Sequence, residues 1–206
     1  MGAGCGNFKQ FFRDEIASDV FHSGDWIDLV MDAQDLSLKP DTIGNVLAFD
    51  VLHHLPRPLE FLRRAMAALK PGGRLVMCEP AVSPWSRFVY GTFHHEPLDL
   101  SYDVFRLDGV PRATDPGRTF ANMAIPELLF FRGRDRTLEL LRSAQMTTAR
   151  KFAFMLYPLS GGYGYRCFIP LRGLPFLMKA EDAITRVLPG SLIGLRMLVV
   201  LEKRNN

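Results

Sequence analysis

The segment from Ile43 to Pro80 constrains the fold more than any other part of the chain. Its first run, IGNVLAF, reads as a strand and ends at Asp50. Pro58 then suits the first turn of a helix, in which Leu59, Leu62, Met66 and Leu69 recur at helical spacing up to Lys70 and the stop signal Pro71-Gly72-Gly73. RLVMCE follows, with its apolar residues continuous rather than alternating. A strand with no polar face needs cover on both sides, so strand, helix and strand in this order predict an α/β sheet with helices on both faces.

The rest of the chain fits that alternation, with two interruptions. Gly2, Gly4 and Gly6 crowd the start, and Phe8, Phe11 and Phe12 are spaced for one face of a short helix. Strands are expected at Ile16–Val20 and Trp26–Met31, so that Asp19, Asp32 and Asp50 mark three successive strand ends. A helix is expected over Asp135–Gln145, strands over Lys151–Tyr157 and in the final LRMLVVLEK, and an antiparallel strand pair at the C-terminus. Residues 80–125, aromatic and punctuated by proline, and 158–190, glycine-rich and then helical from Phe176 to Val187, are too long for simple connections. They read as insertions forming a substrate lid within a single domain spanning 1–206.

Charge and cysteine content exclude several function classes. Lys and Arg number 25 against 22 Asp and Glu, a formal charge of +3 that is too small and dispersed for a nucleic-acid partner. Cys5, Cys78 and Cys167 are odd in number and far apart, which fits a reducing cytoplasm better than a disulfide framework. No apolar stretch approaches the ~20 residues that a membrane-spanning helix needs. Oligomeric state leaves no trace in the sequence.

In an open α/β sheet, ligands bind beyond the carboxyl ends of the strands, so the glycine turn, Asp19, Asp32 and Asp50 are expected to converge on one edge. Gly2-x-Gly4-x-Gly6 departs from the dinucleotide fingerprint because position 7 is Asn7, and no phosphate-binding lysine follows. His94-His95-Glu96 invites a metal reading, yet adjacent histidines rarely share an ion and no second ligand motif accompanies them, so no metal is expected. With Trp85, Phe88, Tyr90 and Phe93 nearby, His94 and His95 read instead as part of the lid, whose aromatic wall can exclude water and face a cation.

Over roughly its first 80 residues the chain resembles the class I S-adenosylmethionine-dependent methyltransferases, in the branch called methyltransferase type 11. GAGCG matches the glycine loop of that family, DAQDL its acidic segment, and FDVLHHLPRPLEFLRRAMAALKPGGRLVMCEP its fourth strand, next helix and fifth strand. The resemblance implies a Rossmann-like sheet and S-adenosylmethionine as cofactor. It implies that Gly2, Ala3, Gly4 and Gly6 approach the methionine and ribose portions, that Asp19 accepts from the ribose hydroxyls, and that Asp32 and Ala33 flank the adenine. Asp50, His53 and His54 would face the methyl group and the acceptor, as candidates for cofactor contact and catalysis.

In that family a buried first strand precedes the glycine loop at mid-sheet. Here Met1 stands where its last apolar residue would be, so the strand is expected to be missing and its neighbours left with unpaired backbone groups. The apolar insertions favour methyl transfer to a small-molecule or lipid-like acceptor. The alternatives are a non-catalytic remnant serving as a scaffold and, less favoured by the glycine spacing, a nicotinamide-dependent oxidoreductase. LPFLMKAEDAITRVLP could touch a lipid surface peripherally through Lys179 and Arg186, although packing against the sheet is the expected use of such a helix.

Overall fold

The computed structural model describes residues 1–4, 6–12, 14–106, 120–160 and 169–205. Cys5, Cys167, residues 107–119 of the first insertion and residues 161–168 of the second lie outside the described residues, as does the side chain of Phe8.

Two sheets form. β1 (Ser18–Asp19) and β2 (Leu29–Val30) pair in parallel, Ser18 opposite Leu29 and Asp19 opposite Val30. β3 (Ile43–Phe49), β4 (Leu69–Pro80), β5 (Ala144–Phe152) and β6 (Arg196–Lys203) make the larger sheet in the order β3-β4-β6-β5. β3 runs parallel to β4, and β6 is antiparallel to both β4 and β5, which provides the expected C-terminal antiparallel pair.

The β3-to-β4 connection is the expected crossover. Helix α1 (Pro58–Ala68) starts on its proline and buries Leu59, Phe61, Leu62, Ala65 and Met66. Its end differs from expectation: β4 begins at Leu69, so Pro71-Gly72-Gly73 lies inside the strand rather than in a loop. A Cβ on Gly73 would stand 2.6 Å from the Gly44 carbonyl oxygen, so close approach of β3 to β4 is what this glycine allows. Ala48, Leu75, Met77, Val199 and Leu201 are wholly buried in one core with the α1 side chains, Leu129 and Phe130. Each large side chain so buried contributes on the order of 1.5–3 kcal/mol.

Elsewhere tertiary context moves the boundaries. The aromatic stretch after Pro80 begins as a helix, α2 (Pro84–Phe93), because Ser83 and Ser86 form a reciprocal capping box. A helical turn at Ile125–Glu127 widens into a π-helical turn at Leu128–Arg132 before α3 (Arg134–Leu140). β5 starts at Ala144 and ends at Phe152, well ahead of the expected Lys151–Tyr157, because it pairs along β6 from Ala144–Lys203 to Phe152–Arg196. The stretch after the glycines is a 3-10 turn, Asn7–Gln10, that leaves Phe11 and Phe12 exposed. Helix α4 (Leu174–Val187) buries none of its residues, which corrects the expectation that it packs on the sheet.

The clearest departure from a continuous sheet lies between β1 and β3. Among the described residues no strand intervenes there. The first residues stitch the two sheets together: the Met1 amine donates to the Leu47 carbonyl at 3.1 Å and the Ala3 N–H to the Ser18 carbonyl at 3.0 Å. Beside them an apolar cavity of about 670 Å³ separates Ala17, Leu29 and Met31 from Ile43, Val46 and Leu47.

Candidate active site

Three glycines set the shape of the site. Gly2, Gly4 and Gly6 have φ of +62°, +48° and +71°. Added Cβ atoms would fall 2.3 Å from a Val51 methyl at Gly2 and 2.6 Å from the Trp26 ring at Gly6. At Gly4 a Cβ would meet nothing within 4 Å, so the open side of the turn is there. Asp19, at the end of β1, holds the turn: its Oδ2 accepts the Gly4 N–H at 2.9 Å and its Oδ1 the Phe21 N–H at 3.3 Å. The Trp26 indole N–H donates to the Gly4 carbonyl at 2.7 Å. Asp19 therefore shapes the loop, while its carboxylate keeps lone pairs for further donors.

Asp32 is the N-cap of the short turn Ala33–Asp35, accepting the Gln34 N–H at 2.8 Å. Ala33 is buried with the core, and Asp32 itself is exposed. Asp50 sits just past β3 in a left-handed conformation, φ +53°, rare for a residue with a side chain. Its Oδ1 pairs at 2.5 Å with Nη1 of Arg196, the first residue of β6. Arg196 is 4% exposed, donates to the Cys78 carbonyl at 3.2 Å and lies 4.8 Å from the centre of the Tyr157 ring. Burial disfavours its charge, but the Asp50 carboxylate outweighs that and holds the guanidinium protonated.

The histidines belong to a second network. Residues Leu52–His54 form a 3-10 turn directly after Val51. Glu79, fully buried near the end of β4, accepts the Val51 N–H at 3.0 Å, the Leu52 N–H at 2.9 Å and His53 Nδ1 at 2.7 Å. His53 Nε2 lies 3.5 Å from Glu96 Oε2, and His54 Nε2 lies 3.8 Å from Glu96 Oε1. Burial alone would lower the His53 pKa, yet its bonds to Glu79 and Glu96 push it up to about 9. Burial would likewise raise Glu79, but His53 and the two backbone N–H groups keep it below the ordinary carboxylate range. For His54, burial and the His53 charge beside it lower the pKa. With no cation beside it His53 therefore keeps its proton at neutral pH and is no base, whereas His54 gives its proton up more readily than an ordinary histidine.

The expected lid divides. Tyr90 is 2% exposed and its hydroxyl donates to the Leu195 carbonyl, so it is a core residue rather than an open wall. Trp85 stacks 5.5 Å from Phe88 and donates to the Phe154 carbonyl at 3.3 Å. His94 and His95 stack in parallel at 5.0 Å, His94 half-buried and His95 exposed. Sequence reasoning missed Glu79, Arg196 and Tyr157 as site residues. The acidic end of RLVMCE was the one available signal for Glu79, because a carboxylate closing an otherwise apolar strand must be paired.

Comparison with known proteins bears on the first part of the chain and on the fold. Residues 6–77 match a family described as a methyltransferase domain. No curated protein matches the chain. A S-adenosylmethionine-dependent methyltransferase from Archaeoglobus fulgidus superposes with a TM-score of 0.55 at 17% identity, covering 98% of this chain and 83% of its own. A Thermotoga maritima S-adenosylmethionine-dependent methyltransferase, described as a possible histamine N-methyltransferase, gives 0.54 at 14% identity, with coverages of 98% and 80%. The protein solved with the Haloferax volcanii Trm112 methyltransferase activator gives 0.53 at 13%, with coverages of 99% and 80%. The glycine turn with its open face at Gly4 and the acidic residue holding it are what such a cofactor site needs, so the donor set fits S-adenosylmethionine. Residues 6–77 thus resemble a methyltransferase domain, and the chain shares the fold of solved S-adenosylmethionine-dependent methyltransferases.

Proposed function

We propose that the chain methylates a small-molecule or lipid-like acceptor docked beside Asp50–His54 and under α2. The observation that carries this reading is the positive-φ glycine turn, open at Gly4, braced by Asp19 and lying against Val51 of the Asp50–His54 segment. Bound S-adenosylmethionine would supply an electrophilic methyl group on a sulfonium. Gly2, Ala3, Gly4 and Gly6 would face its methionine and ribose portions, Asp19 would accept from ribose hydroxyls, and Asp32 with the backbone near Ala33 would border the adenine.

For an acceptor that carries a proton, His54 is the residue placed to take it, being neutral and part-exposed. His53 positions rather than abstracts, because its ring is fixed between Glu79 and Glu96. Asp50, tied to Arg196, fixes the start of the segment. The exposed Phe88 and Phe93 on α2 offer apolar surface to an acceptor, which supports a lipid-like or aromatic substrate over a polyanion. Among the described residues no helix is long and apolar enough to cross a membrane. The buried free thiol of Cys78 fits a reducing, cytoplasmic setting.

Titration calorimetry with S-adenosylmethionine tests the cofactor reading. Asp19→Ala removes a charge-assisted bond worth about 1.5–3 kcal/mol, so affinity should fall roughly 10- to 100-fold. A wild-type chain that binds no cofactor would instead make it a scaffold, a second reading that the Asp50–Arg196 pair and the cavity beside β3 favour. Methyl-labelled cofactor incubated with a metabolite extract would then identify the acceptor.

A further inference from the structure

The geometry points to a divalent transition-metal site formed by His53 Nε2, His54 Nε2 and the carboxylate of Glu96. The expectation of no metal rested on the adjacency of His94 and His95. The structure takes Glu96 from that run but joins it to a different pair of histidines, 42 positions or more away in sequence. The 3-10 turn is what allows neighbouring residues to share one ion: it brings the His53 and His54 rings to 4.1 Å between centroids, with both Nε2 atoms directed at Glu96. The three ligand groups lie within 4.8 Å of one another. Ligand atoms around a tetrahedral ion with bonds of ~2.0–2.1 Å are about 3.3 Å apart, so the 3.5 Å from His53 Nε2 to Oε2, the 3.8 Å from His54 Nε2 to Oε1 and the 4.8 Å bound on the whole set leave a modest contraction for the ion to make.

Both histidines are also oriented from behind, and the ion would take the place of the Nε2 proton that His53 carries in its absence, releasing that proton to solvent. His53 Nδ1 lies 2.7 Å from Glu79 Oε2, and His54 Nδ1 lies 3.2 Å from the Phe120 carbonyl. Metal-bound histidines are oriented in this way, the second nitrogen donating to a carboxylate or a backbone carbonyl. A carbonyl can only accept, so the His54 proton belongs on Nδ1. In the neutral ring the Nε2 lone pair then faces a Glu96 oxygen, an acceptor opposite an acceptor, and a cation between them removes the repulsion. Glu79 and Glu96 bring two negative charges to a poorly hydrated place, which also favours a dication. Two imidazoles and one carboxylate suit Zn²⁺ or Fe²⁺ rather than Mg²⁺ or Ca²⁺. If the methyl-transfer reading holds, the loaded ion would replace His54 as the group that activates the acceptor, its open positions taking an acceptor oxygen and lowering its pKa, but the site itself does not depend on that reading.

The test uses the full chain, stripped with chelator and titrated with Co²⁺ alone, read by its visible absorption and by displacement with Zn²⁺. One Co²⁺ per chain is expected, with Mg²⁺ in excess failing to displace it. His54→Ala and Glu96→Gln should each weaken binding by roughly tenfold or more, and His95→Ala should leave it unchanged. Both test positions are only partly buried, so the variants should fold; circular dichroism confirms it. Absence of the Co²⁺ band at millimolar metal, or equal binding by wild type, H54A and E96Q, overturns the proposal. Calorimetry with S-adenosylmethionine on the same stripped protein separates the two readings: Co²⁺ binding without cofactor binding sinks only the methyltransferase activity, and the reverse sinks only the metal site.

Discussion

The two sheets of this molecule are built to different standards. In the larger one, β4 lies between β3 and β6 with continuous pairing, and Leu75, Met77, Val199 and Leu201 are wholly buried. In the smaller one, β1 and β2 are two residues each, with Leu29 and Val30 exposed and a cavity on the side facing β3. The charged network of Asp50, His53, His54 and Arg196, proposed to face the acceptor, hangs from the first sheet, while the glycine turn and Asp19, proposed to face the cofactor, hang from the second. Burial is thus concentrated around the charged network, and the glycine turn has little of it.

Hydrogen exchange should show the contrast most strongly. Amides of Met77 and Val199 open only with the whole domain, at a cost of about 5–15 kcal/mol, whereas those of Leu29 and Val30 open locally. Exchange rates differing by roughly a thousandfold or more are expected, and comparable rates would erase the distinction. Next comes Glu79→Gln, which leaves His53 charged and buried without its partner and should destabilise by about 3–5 kcal/mol in denaturant melts. A loss below about 1 kcal/mol would mean that the Glu79–His53 pair does not organise the turn.

Met77→Ala should cost about 2–5 kcal/mol, against well under 1 kcal/mol for Leu29→Ala, since only the former opens a cavity in packed core. Similar losses at both positions would show that the smaller sheet is better buried than its exposure indicates. The smallest effect belongs to α4: Val187→Ala, 81% exposed, should change stability by no more than about 0.5 kcal/mol. A larger change would reveal a packing partner for that helix.

Legibility in the sequence followed the same division. β3, α1 and β6 fell close to their expected positions because each carries its own periodicity, proline start or unbroken apolar run. β1 and β2 shrank to two residues from longer expected runs, since a strand lasts only as far as a neighbour pairs with it. β5 was misplaced for the same reason, its limits being set by β6. The glycine turn was legible because positive φ excludes most other residues. Arg196 was not, as an arginine opening a strand gives no hint that it will be buried against a carboxylate nearly 150 positions earlier.

The amino-acid sequence by itself determined the α/β class, the crossover from β3 to β4 and the glycine turn, because these rest on local periodicity and backbone sterics that a short window of residues expresses. Only the tertiary structure decided that Asp19 braces its own loop, that Tyr90 belongs to the core, and that His53, His54, Glu79 and Glu96 form one network. Those outcomes depend on burial and on charges meeting across long sequence separations, and the strength of each such interaction is set by the surroundings that folding creates.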